Sequence, residues 1–198
     1  MRWPSATFPR KETPTAFCAG YSATDPALQA LLDQLGFVAS CAAQAVPRGI
    51  AGVSYPPSWY DLLEWAEHIT PLAKPYRVGT TSILPPPAAG PALERLVEIP
   101  LNTDTDLRPP YLNGRPIARK AILDAHYKMI QDTGRSSCVA LGIHDVYLGD
   151  DAQRGPILAE MAANLDHVRS LGQRGAVPVR FATASEVADR VRTETGRW

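Results

Sequence analysis

The sequence predicts an α/β fold with a mainly parallel sheet, arranged as a partial or distorted (β/α) barrel. Apolar runs that suit β-strands alternate along the chain with amphipathic helical segments, as in sheets built from strand–helix–strand units. Two of the predicted strands, residues 14–20 and 137–143, carry a chemically capable residue near their ends, Cys18 and His144. In barrels of this type the reactive side chains lie at the carboxyl ends of the strands.

Length and composition limit the classes of protein that fit. The chain has 198 residues, 45% of them hydrophobic, with 20 acidic and 20 basic side chains. That length predicts one domain, covering residues 1–198. Because the net charge is zero, the chain has no long-range field for nucleic acid or an anionic membrane, and no apolar run is long enough to cross a bilayer. We therefore expect neither a nucleic-acid nor a membrane partner.

The N-terminus and the cysteines bear on the compartment. No apolar stretch follows the first residues, so no secretory signal is visible and a cytoplasmic location is expected. The three cysteines, Cys18, Cys41 and Cys138, are odd in number and lack Cys-x-x-Cys spacing. This pattern argues against a disulfide framework and against a structural zinc site, so reduced thiols are expected.

The first half of the chain contains three apolar runs that predict strands: residues 14–20, 37–43 and 97–101. Asp25 and Pro26 predict the start of a helix after the first strand, because aspartate is a good N-cap and proline fits the first helical position. Gly36 predicts the end of that helix. Proline clusters predict long loops, with a short helix between two of them at residues 58–69.

The second half contains two further predicted strands and two helices: residues 137–143 and 177–181, and residues 116–132 and 156–171. The first of these strands is nearly all apolar, as expected when both faces of a parallel sheet are covered. His126, on the first of these helices, is interpreted as a surface or interfacial residue. Thr183 and Glu186 have the spacing of a capping box and predict the start of the last helix.

Several short motifs follow one another in an informative order. Phe17-Cys18-Ala19-Gly20-Tyr21 precedes a predicted helix and Gly36-Phe37, Val97-Glu98-Ile99-Pro100 forms a later strand, and Leu141-Gly142-Ile143-His144 ends another. In this order, from about residue 13 to 191, the chain resembles the polysaccharide deacetylase superfamily, with its Phe-Arg-Ala-Gly segment and its Leu-x-x-His motif. The resemblance implies a distorted (β/α) barrel that hydrolyses an amide-type C–N bond in an N-acyl sugar or small amide.

Two motifs of that family have no counterpart in this sequence. Members open with Thr-Phe-Asp-Asp-Gly, which supplies the base and a metal ligand, and continue with His-x-x-x-His, which supplies two more ligands. We therefore expect the family's N-terminal strands to be missing. Cys18 stands where the family has arginine. Family members use a divalent metal such as zinc, whereas for this chain we expect no metal and no other cofactor.

The surviving residues give a candidate catalytic site. His144, with Asp145 beside it, is expected to protonate a leaving amine, because imidazole titrates near neutral pH. The alternative is a loop histidine bonded to the backbone. Cys18 is a candidate thiol nucleophile if His144 lies close enough to lower its pKa. Otherwise Cys18 is a small buried residue, as cysteine often is.

Four aromatic residues are candidates for binding substrate: Tyr21, Trp59, Tyr60 and Trp65. The last three lie in a proline-bounded segment, and flat rings of this kind stack on a sugar ring or another flat substrate. The alternative for this segment is the hydrophobic seal of a small extra helix.

Two functions are consistent with these residues. The first is a deacetylase-like hydrolase of an N-acyl sugar or small amide, with His144 as general acid. The alternative is a non-catalytic relative, a barrel remnant that serves as a binding or assembly subunit. In either case the strand edge near residues 14–20 is expected to be covered, by a second copy in a homo-oligomer or by a partner chain that supplies the missing strands.

Overall fold

The fold was analysed in a computed structural model that describes residues 14–18, 24–43, 69–70, 72–84, 91–102, 120–140, 151–194 and 198. In chain order the described elements are β1 (Ala16–Phe17), α1 (Pro26–Gln34), β2 (Ala39–Ser40), β3 (Tyr76–Gly79), β4 (Ala92–Glu98), α2 (Lys120–Thr133), α3 (Asp151–Gln173) and α4 (Ala184–Thr193). None of the helices among these residues is both long and apolar enough to span a membrane.

The described strands form one sheet in the order β1-β2-β4-β3. β1 pairs with β2 and β2 pairs with β4 in parallel, whereas β3 runs antiparallel to β4. Beyond β4, Leu101 forms a further parallel bridge with Ala140. The predicted α/β class with a mostly parallel sheet is therefore confirmed. These strands lie in an open row and show no closed barrel.

Helix α1 covers one face of this sheet. Its start follows from the sequence: the Asp25 carboxylate accepts a hydrogen bond from the Leu28 amide at 2.7 Å, and Pro26 occupies the first helical turn. Gly36, with a φ of 88°, follows the last turn, where a residue with a Cβ would be strained. The apolar side of the helix packs against β3 and β4 in a cluster of buried residues: Leu32, Val78, Leu93 and Leu96.

Helix α4 covers the opposite face, because successive strand residues point to opposite sides of a sheet. Its first turn has the predicted capping box, in which Thr183 and Glu186 each bond the other's backbone amide. The helix packs on β2 and β4 in a second cluster: Ala39, Val97, Ile99, Val187, Ala188 and Val191. The sheet is thus covered by α1 on one side and α4 on the other.

Helices α2 and α3 enclose a third cluster of buried residues: Leu123, Tyr127, Val168, Leu171 and Val177. The predicted start of α3 at Pro156 is wrong, because the helix begins at Asp151 and includes the proline. The bond lost at Pro156 would reach the carbonyl of Ala152, close to the helix start, so the interior of the helix keeps its hydrogen bonds.

Two other expectations from the sequence need correction, and one observed strand was not predicted. Residues 177–181 form no strand: Val177 turns into the third cluster, Pro178 has no amide proton to donate, and Phe181 is 57% exposed. β3 was not predicted, because it lies in a segment dominated by proline signals. His126, interpreted as a surface or interfacial residue, is buried within the chain at only 2% exposure. Residues 58–68 and 141–143, where a helix and part of a strand are predicted, lie outside the described residues.

Candidate functional site at the carboxyl ends of the parallel strands

The parallel strands β1, β2 and β4 all point the same way, so their carboxyl ends meet at one edge of the sheet. Ser40 and Glu98 are the last residues of β2 and β4 and lie opposite each other. Cys18 and Cys41 come directly after β1 and β2. The described residues therefore place a hydroxyl, a carboxyl group and two thiols at this edge.

Glu98 is the central group of the edge. Its side chain is almost fully buried, at 2% exposure, and its Oε1 accepts hydrogen bonds of 2.8 Å from the backbone amides of both Ala42 and Ala43. The Ser40 hydroxyl and the Gln29 side chain also contact the carboxyl group. The two amides belong to the segment that leaves β2, so Glu98 holds that segment against β4.

A buried polar chain links Glu98 to helix α1. The Gln29 Nε2 donates to the Thr24 hydroxyl at 2.8 Å and to the Ser40 hydroxyl at 3.2 Å. No donor among the described residues reaches the buried Gln29 Oε1. Gln29 is a polar residue at a position on the apolar side of α1. That position is the only feature of the sequence that distinguishes it.

Burial raises the pKa of Glu98 above the ordinary glutamate value, and hydrogen bonds from Ser40, Ala43, Ala42 and Gln29 offset only part of the shift. These hydrogen bonds favour the charged carboxylate, because a carboxylate oxygen is a stronger acceptor than a neutral carboxyl group, whereas burial favours the neutral acid and has the larger effect.

The thiols at this edge are held protonated. Burial, and then the nearby Glu98 carboxyl, raise the pKa of Cys18 and raise the pKa of Cys41 to about 12. Cys18 is the more exposed of the two residues, and its Sγ donates to the carbonyl oxygen of Cys41 at 3.1 Å. A raised pKa works against a thiolate nucleophile, so the described geometry gives that role for Cys18 no support, and it stays a prediction.

A second buried polar cluster lies beside the edge, and no pattern in the sequence predicts it. Asn102 Nδ2 lies 3.1 Å from His126 Nε2, and His126 Nδ1 lies 2.8 Å from the Ser137 hydroxyl oxygen. Asn102 Oδ1 accepts from the Ala140 amide at 3.0 Å, which assigns Nδ2 as the donor to the imidazole. The Nδ1 proton therefore points to Ser137.

This tautomer determines what the cluster does. A histidine that donates to a serine hydroxyl does not accept its proton, so His126 does not activate Ser137 as a nucleophile. The cluster instead connects α2 to the segment around Ala140 and to the end of β4. Asn102 and His126 are 24 positions apart in sequence, so no local pattern connects them.

Six of the predicted site residues lie outside the described residues: Tyr21, Trp59, Tyr60, Trp65, His144 and Asp145. Of the predicted set, only Cys18 is placed. Ala140, four positions before His144 in the sequence, pairs in parallel with Leu101. No group of three histidine, cysteine, aspartate or glutamate side chains within the described ranges is placed to hold a metal ion.

The function has to be inferred from the chemistry of this edge, since a fold by itself does not define an activity. The described residues contribute a buried carboxyl group, Glu98, and two thiols, Cys18 and Cys41. No protein-family model matches the chain, and comparisons with curated proteins and with solved structures found no match.

Proposed function

We propose that this chain is a deacetylase-like hydrolase that cleaves an amide-type C–N bond, in an N-acyl sugar or small amide, at the carboxyl edge of its parallel strands. The observation that supports it best is the parallel bridge between Leu101 and Ala140. That bridge gives the chain at Ala140, four positions before His144 in the sequence, the direction of β1, β2 and β4. In the proposal, His144 therefore belongs to the same edge as Cys18, within a distorted (β/α) barrel.

The proposed reaction adds water to the amide carbonyl and breaks the C–N bond. His144 donates a proton to the leaving nitrogen, and the neighbouring Asp145 accepts a proton from the attacking water. The raised pKa of Cys18 favours water over this thiol as the nucleophile, so Cys18 contributes to the wall of the site. Tyr21, Trp59, Tyr60 and Trp65 are the proposed aromatic surface for the substrate.

One observation favours the alternative of a non-catalytic binding or assembly subunit. The Glu98 carboxyl group, the main titratable group placed at the edge, is buried and bonded to the backbone amides of Ala42 and Ala43. It stabilises the fold rather than facing a substrate. In this alternative, β1, at one end of the strand row, pairs with a second copy of the chain or with a partner chain.

A single substitution separates the two functions. After a screen of N-acetylated sugars and small amides identifies a substrate, His144→Ala should lower turnover by about a hundredfold or more, the usual effect of losing a general acid. His167→Ala is the matched control, because its imidazole bonds Asp124 at 2.9 Å on the packed side of α3. His167→Ala loses this bond but should keep full turnover, and His144→Ala should unfold at nearly the same denaturant concentration as the parent chain.

Two results would contradict the hydrolase. One is full turnover in His144→Ala. The other is no turnover of any screened amide, combined with a stable dimer that dissociates when β1 is altered, for example by Phe17→Pro. The dimer result would support the assembly subunit, and sedimentation equilibrium measures it directly.

A further inference from the structure

Cys18 and Cys41 lie side by side on neighbouring parallel strands. The pairing of β1 and β2 matches Ala16 with Ala39 and Phe17 with Ser40, and the Cys41 amide donates to the Phe17 carbonyl at 2.8 Å. The next pair in this register is Cys18 with Cys41. Each cysteine is two positions beyond Ala16 or Ala39, so both lie on the same face of the sheet.

The spacing of these cysteines suits a disulfide. Neighbouring strands are about 4.8 Å apart, which falls within the Cα separations of about 4.4–6.8 Å that disulfides span. The Cys18 Sγ already lies 3.1 Å from the Cys41 carbonyl oxygen. The Cys18 thiol also contributes to the raised pKa of Cys41, as expected for a close neighbour.

The third cysteine is placed differently. Cys138 precedes Ala140, which pairs with Leu101. Leu101 is bonded on its other side to the segment after β2, through the Ala43 carbonyl at 2.7 Å. The chain that continues β4 therefore lies between Cys138 and Cys41. Two strand spacings, about 10 Å, exceed the reach of a disulfide.

We propose that Cys18 and Cys41 form a reversible cross-strand disulfide by exchange with a small-molecule disulfide, which makes this edge a thiol switch. Cys18, the exposed member, attacks first: its sulfur bonds to one sulfur of the small disulfide, and the other sulfur leaves as a thiolate. The Cys41 sulfur then attacks Cys18 and releases the second small thiolate. The two protons lost by the cysteines end on the two released thiols, so atoms and electrons balance.

The surroundings of the pair predict its redox behaviour. Burial is the main cause that disfavours the Cys41 thiolate, and the nearby Glu98 carboxyl, Cys18 and Cys138 add to it. Because the surroundings do not stabilise a thiolate in the reduced form, the equilibrium between dithiol and disulfide favours the disulfide once it has formed. Exchange needs a thiolate, so it is slow at neutral pH and accelerates as pH rises.

The test uses oxidised glutathione as the probe and intact mass with peptide mapping as the readout. At pH 8.5 the full chain should lose two hydrogens, retain no glutathione, and yield a peptide that links Cys18 to Cys41. Cys41→Ser should stop at a glutathione adduct on Cys18. Cys138→Ser is the matched control and should form the same disulfide as the parent chain. The exchange rate at pH 7 should be at least fivefold lower.

Three results would overturn the proposal: a bond that includes Cys138, a stable glutathione adduct on the unmutated chain, or a disulfide between two chains. Peptide mapping of the unmutated chain decides among them even if a variant fails to fold. The readout is covalent and needs no substrate, so its outcome is independent of the hydrolase proposal. Such bonds in reducing compartments are typically transient and regulatory, which is the role this pair would have.

Discussion

Glu98 affects the free energy of unfolding in two ways that substitutions can separate. One is its hydrogen bonds to two buried amides, and the other is the charge of its buried carboxyl group. Glu98→Leu keeps a similar volume but removes the acceptor for the Ala42 and Ala43 amides, which are both buried. Each orphaned amide costs about 1–3 kcal/mol, so the loss is about 2–6 kcal/mol before relief from removing a buried carboxyl group. We expect a net loss of at least about 2 kcal/mol.

Glu98→Gln tests the charge alone. The amide oxygen of glutamine can accept both backbone protons, and the variant should lie within about 1 kcal/mol of the parent chain at pH 4. Burial raises the pKa of Glu98 above its ordinary value of 4.5. The folded chain therefore binds this proton more tightly than the unfolded chain, and the resulting stability is lost as pH rises through the folded pKa. Glu98→Gln should become the more stable of the two as pH rises above 4.5.

Urea denaturation of the three proteins at pH 4, 6 and 8 measures both effects. At pH 6 we expect the midpoint of Glu98→Leu to fall by about 1 M, given a typical urea dependence of about 2 kcal/mol per molar. If the leucine and glutamine variants unfold together at every pH, the two amide bonds do not stabilise the fold. If the difference between parent and Glu98→Gln is constant with pH, the carboxyl group does not titrate as its burial requires.

The other stability predictions concern separate parts of the fold. The Cys18–Cys41 disulfide spans 23 positions, so the loss of chain entropy in the unfolded state predicts that oxidation stabilises the chain by about 3.4 kcal/mol. Equal urea midpoints for the oxidised and reduced protein would contradict this. Asn102→Ala should lower the free energy of unfolding by about 2–4 kcal/mol, as measured by calorimetry. The loss should exceed that of Asn164→Ala, because the Asn164 Nδ2 has no acceptor within the described residues. Thr183→Ala should cost about 1 kcal/mol through loss of the α4 cap, and an unchanged melting temperature would contradict this.

Local signals predicted the starts of α1 and α4 correctly. The start of α1 depends on Asp25 and Pro26, and the start of α4 on Thr183 and Glu186, all within one turn of the helix they begin. Such contacts are encoded by residues three positions apart or fewer, so a single sequence contains the whole interaction. The same holds for the positive φ at Gly36.

Strands were harder to predict, because tertiary contacts decide them. β4 begins at Ala92, five positions before the predicted strand, since its pairing with β3 extends it through the polar Glu94 and Arg95. The apolar run at 177–181 was predicted as a strand, yet Val177 is buried by α2 and α3 instead. A run of apolar residues does not show whether its side chains are buried in a strand of the sheet or by packing against helices.

The buried polar groups could not be predicted from the sequence either, because tertiary contacts between distant residues decide them. They bear on both proposed functions. Glu98 contacts amides more than fifty positions away, and those amides begin the segment that leaves β2 at the candidate edge. Glu98 is thus a positioning residue for whatever that segment does. A change in activity on Glu98→Leu would therefore accompany a loss of stability, whereas Glu98→Gln should preserve both if positioning is the whole of its role.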